Sequence, residues 1–336
     1  MMALFLTSHD VALLLGIEDY VDVLERAYLD LGRGVSSMLP RIKVDAAQRS
    51  GFLKILPAAL SEAGIAGIHA YTGGGKGDFL KVILLFDIPT GNLQAVMEAD
   101  RLGWLTPGAV SAVATKYLAR KDARILGILG SGRQARAQLM GLACVRDLEL
   151  VRVYSPDKQH REAFCADMAT ALNLRVIPVP SAEEAISGAD IVAAATNART
   201  PVFEGRHIVA GTHINAIGAH DPRRREVDGL CVQQSKVIAD SLERALKEEG
   251  ALFLAADEGL IELPHVYGEL GEIVAGKKPG RVDNEEITLF LSGATAIEYA
   301  AIGAEVYRRA KEKGMGQQLS LTKDDDVPRS LYVKAR

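Results

Sequence analysis

Apolar positions along this 336-residue chain change their spacing twice, and the changes divide it into parts. At the start they follow a helical period. Residues 10–15 read as a short helix with Ser8 as N-cap, and 18–32 as a longer one with Val21, Leu24, Ala27, Tyr28 and Leu31 on one face. From Leu39 onward the apolar pieces shorten and are broken by Gly and Pro. Residues 41–44, 52–56, 65–71 and 81–86 read as strands, and a turn at 87–91 leads to another at 92–97. These predict an antiparallel sheet of about five strands, decorated by the leading helices. Thr106-Pro107 opens a helix running to Ala119, with Pro107 in its first turn.

Beyond Lys121-Asp122 the pattern becomes an alternation. Strands at 150–154, 175–179, 191–196, 212–217 and 236–239 are interleaved with helices at 158–172 and 182–187. Such alternation predicts a parallel sheet covered on both faces. Residues 286–313 read as one long helical stretch, with Phe290, Ala294, Ile297, Ala301, Ala304 and Val306 on one side. The expected class is α/β: a doubly wound Rossmann domain over 122–294 and an α+β domain over 1–121, to which 295–336 returns.

The chemistry begins at the boundary between these parts. The apolar run 125–129 ends in Gly130-Ser131-Gly132-Arg133-Gln134-Ala135, and a helix follows from Arg136 to Val145. Strand, Gly-x-Gly-x-x-Ala turn and helix in that order form the first unit of a dinucleotide-binding fold. Gly130 permits the tight turn, Gly132 lets backbone approach a pyrophosphate, and Ala135 keeps the helix close to the sheet. The helix N-terminus offers free N–H donors to the phosphates.

Composition narrows the partners. The chain is 48% hydrophobic and 24% charged, as in an ordinary globular protein. A net charge of −4 gives no reason to expect nucleic acid or an anionic membrane as partner. Cys144, Cys165 and Cys231 are scattered, which fits a reducing compartment and neither a disulfide framework nor a zinc site. His213 and His265 show no metal spacing, so no metal is expected. The apolar start lacks a basic leader, and no apolar run approaches the roughly 18 residues of a membrane span. A cytoplasmic protein is expected.

The strand at 150–154 ends in Ser155, where an acidic side chain would hydrogen-bond the adenosine ribose and disfavour a 2′-phosphate. Ser155 is neutral, and Lys158, His160 and Arg161 lie just beyond. NADP(H) is therefore favoured, with NAD(H) possible; Ser155, Lys158 and Arg161 are candidate cofactor contacts.

Taken together, these segments resemble the ornithine cyclodeaminase/mu-crystallin family over roughly residues 6–315. The resemblance rests on the strand at Arg41, the run 82–87 followed by Thr90-Gly91, the helix at 108–114, the glycine loop, Ile214-Asn215-Ala216-Ile217-Gly218, and 288–298. It implies a homodimer joined through the N-terminal sheet domain, with an amino or imino acid substrate in the cleft beside the cofactor. Thr196, Ile217 and Gly218 join the glycine loop as cofactor positions. Arg41 matches the family's carboxylate anchor, a role suited to a bidentate guanidinium. Other positions depart from the pattern. The family's strand lysine is His69, its helix arginine is Thr106, and its acid–base aspartate is His220. Its cyclodeaminase glutamate is Lys54, which would repel the distal ammonium of ornithine or attract a carboxylate. Lys76, Lys81 or Lys54 would restore positive charge.

The reading is an NAD(P)H-dependent imino acid (ketimine) reductase or amino acid dehydrogenase. Its catalytic candidates are Arg41, His69 and His220, with Lys54 and Thr106 beside Arg41 and His69 in contact with substrate. The alternatives are an ornithine cyclodeaminase that releases ammonia and a non-catalytic, NADPH-binding crystallin-like protein.

Overall fold

Two eight-stranded sheets organise the computed structural model, which describes residues 2–46, 51–73, 80–218 and 221–321. The first part comprises β1 (Met2–Leu6), α1 (Ser8–Leu14), α2 (Ile17–Arg33), β2 (Ser36–Met38), β3 (Ile42–Asp45), β4 (Phe52–Leu60), β5 (Ile65–Gly73), β6 (Lys81–Asp87), β7 (Leu93–Glu98) and α3 (Asp100–Leu118). The second comprises β8 (Ile125–Leu129), α4 (Arg133–Val145), β9 (Leu150–Tyr154), α5 (Lys158–Leu172), β10 (Val176–Pro178), α6 (Ala182–Ile186), β11 (Ile191–Ala194), β12 (His213–Ala216), α7 (Gly229–Gln233), β13 (Lys236–Ala239), α8 (Leu242–Glu248), α9 (Gly250–Asp257), β14 (Gly268–Glu269), α10 (Leu270–Val274) and β15 (Thr288–Leu291). The chain then returns through α11 (Ala296–Lys313) to β16 (Gln317–Ser320).

Strands β2 to β7 pair antiparallel, as their alternating pattern requires, but the sheet is wider than expected. The apolar first residues enter it as β1, parallel to β7, and β16 pairs with β1 at the edge. Cross-strand register sorts the residues into two faces. Leu56, His69, Ile83 and Met97 lie in one row, with Ala58, Gly67, Leu85 and Ala95 in the next. This face is buried under α2, α3 and α11. A Cβ on Gly67 would come within 2.8 Å of the Ala300 methyl, so the glycine lets α11 lie against β5.

The second sheet runs β10-β9-β8-β11-β12-β15-β13-β14, and every pairing is parallel. Its order reverses beside β8, which places a crevice at the carboxyl ends of β8 and β11. Small residues join the two parts. A Cβ on Gly108 of α3 would meet the Ala137 carbonyl of α4 at 2.1 Å, and one on Gly141 would meet that of Gly108 at 2.3 Å.

Three expected boundaries move. Thr7, not Ser8, caps α1, accepting the Asp10 N–H while Asp10 accepts that of Thr7. Helix α3 begins at Asp100, so Pro107 is interior. The Gly103 carbonyl that Pro107 cannot reach is taken by the Gln134 side chain at 3.4 Å. The stretch 286–313 is not one helix, because Thr288–Leu291 forms a central strand between β12 and β13.

Candidate active site

The glycine turn builds the cofactor end. Gly130 has φ +112°, and a Cβ there would lie 2.5 Å from the Ala195 carbonyl, so only glycine fits. Gly132 caps α4 in the opposite situation: a Cβ there would meet nothing within 4 Å, which leaves its backbone open to a ligand. Ala135 is fully buried against the sheet. Around the turn lies a crevice of about 350 Å³, lined by Gly132, Arg133, Gln134, Thr196, Gly218 and Ser292 among others. Ile217 lines it too. A close-approach glycine and an open helix N-terminus beside this crevice fit the pyrophosphate of a dinucleotide.

At the end of β9, the Ser131 and Ser155 hydroxyls lie 2.8 Å apart. Asp157, the nearest acid, is committed to capping α5 through the His160 N–H at 2.9 Å. Arg161 does not reach outward as expected. It is 9% exposed, donates to the Ser155 carbonyl at 2.6 Å and lies over the Tyr154 ring. Its part is to hold the Ser155 turn. Lys158 is exposed, 3.8 Å from Glu162.

Glu226 fixes the two loops facing the glycine turn. One carboxylate oxygen accepts the Thr196 N–H at 2.6 Å and hydroxyl at 2.7 Å; the other accepts the Gly218 N–H at 2.6 Å. Burial pushes its carboxyl up against the pull of those donors. The carboxylate thus ties the loop after β11 to the loop after β12. Behind them, Arg244 is buried between Asp240 at 2.7 Å and Glu249 at 3.2 Å, and Asp240 accepts the Gly293 N–H.

At the substrate end, Arg41 reaches from the start of β3 across to the second part. Its guanidinium donates to Glu248 at 3.0 Å, to the Gly293 carbonyl and, at 3.4 Å, to that of Ala294. Ala294 also lines the crevice beside the glycine turn, so Arg41 is anchored to a residue of its wall. Lys54 lies across from Tyr71 on the same face of the sheet as His69, not on the outer face. It is half-buried over the Phe52 ring. Burial first, and Arg41 next, hold its ammonium below the usual lysine range, opposed by Glu248.

His69 is 3% exposed and stacked on Tyr299 with 3.9 Å between ring centroids. Burial pushes it down to about 3, helped by Lys81 and Arg41, so its ring is neutral. Thr106 does not face the cleft as expected: it is fully buried and its hydroxyl donates to the Leu102 carbonyl at 2.7 Å. His220 and Lys76 lie outside the described residues. Sequence reasoning missed Glu248 and Tyr299, whose roles arise from contacts with no local pattern. Among the described residues, no group of three or more His, Cys, Asp or Glu is gathered to hold a metal, and no helix is long and apolar enough to cross a membrane.

The chain is 37% identical over 246 residues to a Delta(1)-pyrroline-2-carboxylate reductase of Bacillus cereus, covering 73% of this chain and 75% of that protein. Among solved structures it is similar to the Thermococcus litoralis Delta(1)-pyrroline-2-carboxylate reductase in complex with NADH and L-proline, with 37% identity and a TM-score of 0.88 over 94% of this chain and 99% of that one. It is also similar to an archaeal alanine dehydrogenase dimer with bound NAD, with 31% identity and a TM-score of 0.89 over 96% of this chain and 100% of that one. The signature of the ornithine cyclodeaminase/mu-crystallin family matches residues 1–314, and the chain belongs to that family.

Proposed function

We propose that the chain is an NAD(P)H-dependent reductase of α-imino acids, working in reverse as an amino acid dehydrogenase. The observation that carries this is the position of Arg41, a guanidinium held by the carbonyls of Gly293 and Ala294, the second of which lines the crevice beside the glycine turn. A carboxylate held there presents its α-carbon to that crevice, which is the orientation a hydride transfer needs. When bound, the nicotinamide supplies the hydride for that carbon. The C=N electron pair moves to nitrogen, which must carry a proton in the transition state. The burial that keeps His69 neutral at physiological pH leaves His220 as the candidate for that proton. His69 then acts as a neutral hydrogen-bonding group. Thr196, Ile217 and Gly218, set by Glu226, form the wall opposite the glycine turn.

Lys54, on the cleft face, repels a second ammonium and argues against ornithine cyclodeamination. NADP(H) is the favoured cofactor, because β9 is followed by Ser155, paired with Ser131 of the glycine turn, and the nearby acid is occupied in a helix cap; NAD(H) remains usable. We place the working unit as 1–121 with 295–336 against 122–294, as a homodimer, in the cytoplasm.

The direct test follows NADPH and NADH oxidation with 1-pyrroline-2-carboxylate, and with 2-oxo acids plus ammonia, while ornithine is assayed for ammonia release. Steady oxidation with an imine is expected, faster with NADPH. Cofactor binding without turnover of any imine would overturn the reading in favour of a binding protein.

A further inference from the structure

Residues 292–295 carry the chain out of the second sheet, from β15, into α11, which packs on the first. Backbone groups of this crossing are held from two directions. The Gly293 carbonyl accepts from Arg41 of the first part, and the Gly293 N–H donates to the buried Asp240, just past β13, at 2.5 Å. The other Asp240 oxygen accepts the Nε–H of Arg244 at 2.7 Å. Arg244 in turn donates through Nη1 to Glu249 at 3.2 Å and through Nη2 to the Leu291 carbonyl at 3.2 Å. Glu249 is the chain neighbour of Glu248, whose carboxylate lies 3.0 Å from Arg41. Arg41, Gly293, Asp240, Arg244, Glu249 and Glu248 thus form a closed ring.

Arg244, Asp240 and Glu249 are all buried, and their ion pairs lie behind the wall of the crevice rather than in it. Burying charges in this way is a poor route to stability, since well-packed apolar side chains of similar volume hold a fold as well or better. What a hydrogen-bonded guanidinium adds is direction, because its planar fork fixes where each acceptor stands. Here the fork lies hard against the crossing: a Cβ on Gly293 would be 2.5 Å from Arg244 Nη1.

We propose that Arg244 is a positioning residue for hydride transfer. Through Asp240 and Glu249 it fixes both groups that hold Arg41, the Gly293 carbonyl and the Glu248 carboxylate. It thereby sets the direction in which the Arg41 guanidinium meets a substrate carboxylate. This role rests on the imino acid reading, and Arg244 acts only through Arg41. A closed ring behaves differently from two separate supports. Opening it at any link releases Arg41, so a second opening has little left to free. Separate supports lose their contributions independently, and their effects multiply.

A double-variant cycle on the two arms reads this difference. Asp240 accepts from Arg244 and the Ser241 N–H on one oxygen and from Gly293 on the other, so Asp240→Asn turns its amide NH2 toward the Gly293 N–H and opens that arm. Glu248→Gln weakens the other arm. With 1-pyrroline-2-carboxylate each is expected to raise KM by about 10-fold, with a smaller fall in kcat. The pair together should raise KM by about 10- to 20-fold, where independent supports give about 100-fold. Arg244→Lys keeps the charge but cannot span Asp240, Glu249 and the Leu291 carbonyl at once, and should match the pair. NADPH affinity is expected to move less than about threefold in each. Unfolding curves identify misfolded variants, and Glu249→Ala, which opens the ring at Arg244, replaces Asp240→Asn in the cycle if that variant does not fold. The ring is overturned by effects on KM that multiply, or by a single variant that moves KM less than about threefold. A loss confined to kcat, or an equal loss of NADPH affinity, overturns it too.

The same variants, loaded with NADPH, are titrated with pyrrole-2-carboxylate and read by calorimetry. If no imine is turned over but this anion binds, and its losses of affinity fail to multiply across the cycle, the ring stands and the reductase reading falls. If imines are reduced while the effects multiply, the reverse holds. If wild-type protein binds neither imine nor anion, the ring is overturned, because Arg41 then holds no carboxylate.

Discussion

Ala294 is a non-glycine residue with φ +65°, in the left-handed region where a Cβ is strained, at the junction between the dinucleotide crevice and Arg41. The position one residue before it is a glycine packed so tightly on Arg244 that a Cβ would lie 2.5 Å from its guanidinium. Backbone strain of this kind costs roughly 1 kcal/mol and persists only where its surroundings impose it. Ala294→Gly is therefore expected to raise the unfolding midpoint by less than about 1 °C, relief of strain slightly outweighing the added freedom of the unfolded chain. A lowered midpoint would show that the methyl group contributes more through packing than it costs in conformation. Local backbone demands of this sort are legible in a sequence, and Gly130, with φ +112°, was readable for that reason, whereas Gly132 was readable from the open backbone a phosphate needs. The surroundings of His69 were not. Which residues stack on it, and whether Lys54 shares its face, depend on strand register and on a helix more than 200 residues away.

At the scale of elements, the site depends on loops that leave the ends of parallel strands and have little structure of their own. Glu226 joins two of them, following β11 and β12, and Gly218 must be glycine because a Cβ would lie 2.5 Å from that carboxylate. Glu226→Gln turns one accepting oxygen into a donor facing N–H groups, so at least one buried amide loses its partner. The expected result is a cofactor Kd raised by about tenfold, read by nicotinamide fluorescence, with a smaller change in kcat. Unchanged cofactor affinity would mean that the loops hold their shape without the clamp. Most elements on either side of these loops were readable, since α2, α5 and β4 to β7 carry clean periods. The misreadings share one cause. Thr288–Leu291 is buried on both faces in mid-sheet, and a short apolar run without polar alternation cannot be told from the start of a helix. The interior Pro107 survives in α3 because a side chain from α4 answers the freed carbonyl, which is a tertiary fact.

For the molecule as a whole, the first sheet is apolar on both faces, and only one is covered. Opposite the buried rows lie Ile55, Ala70 and Val82, with Glu98 at the margin; Pro57, Ile68, Leu84 and Val96; and Ala59, Ala66 and Phe86. All are only partly buried in the single chain. An antiparallel sheet with one solvated face ordinarily alternates apolar with polar residues, and a contiguous apolar face of this kind marks an association surface. A second copy of the chain seated on this face would give a self-complementary contact, as two-fold symmetry requires. Leu84, paired with Ile68 and Val96 near the middle of the face, is the position to change. Leu84→Asp would bury a charge without a partner in the dimer, and is expected to weaken self-association by about 100-fold or more, seen as a shift to monomer in sedimentation equilibrium. Because its strand neighbours project onto the opposite face, the substitution leaves the packed core in place, and the monomer should remain folded. The same sheet carries Lys54 and His69 on its other side, so freeing this face loosens the support beneath the substrate end. The monomer is thus expected to lose affinity for imine more than for cofactor, whose crevice belongs to the second sheet. A wild-type protein that is monomeric at assay concentration, or a Leu84→Asp variant that stays dimeric, would move the interface elsewhere.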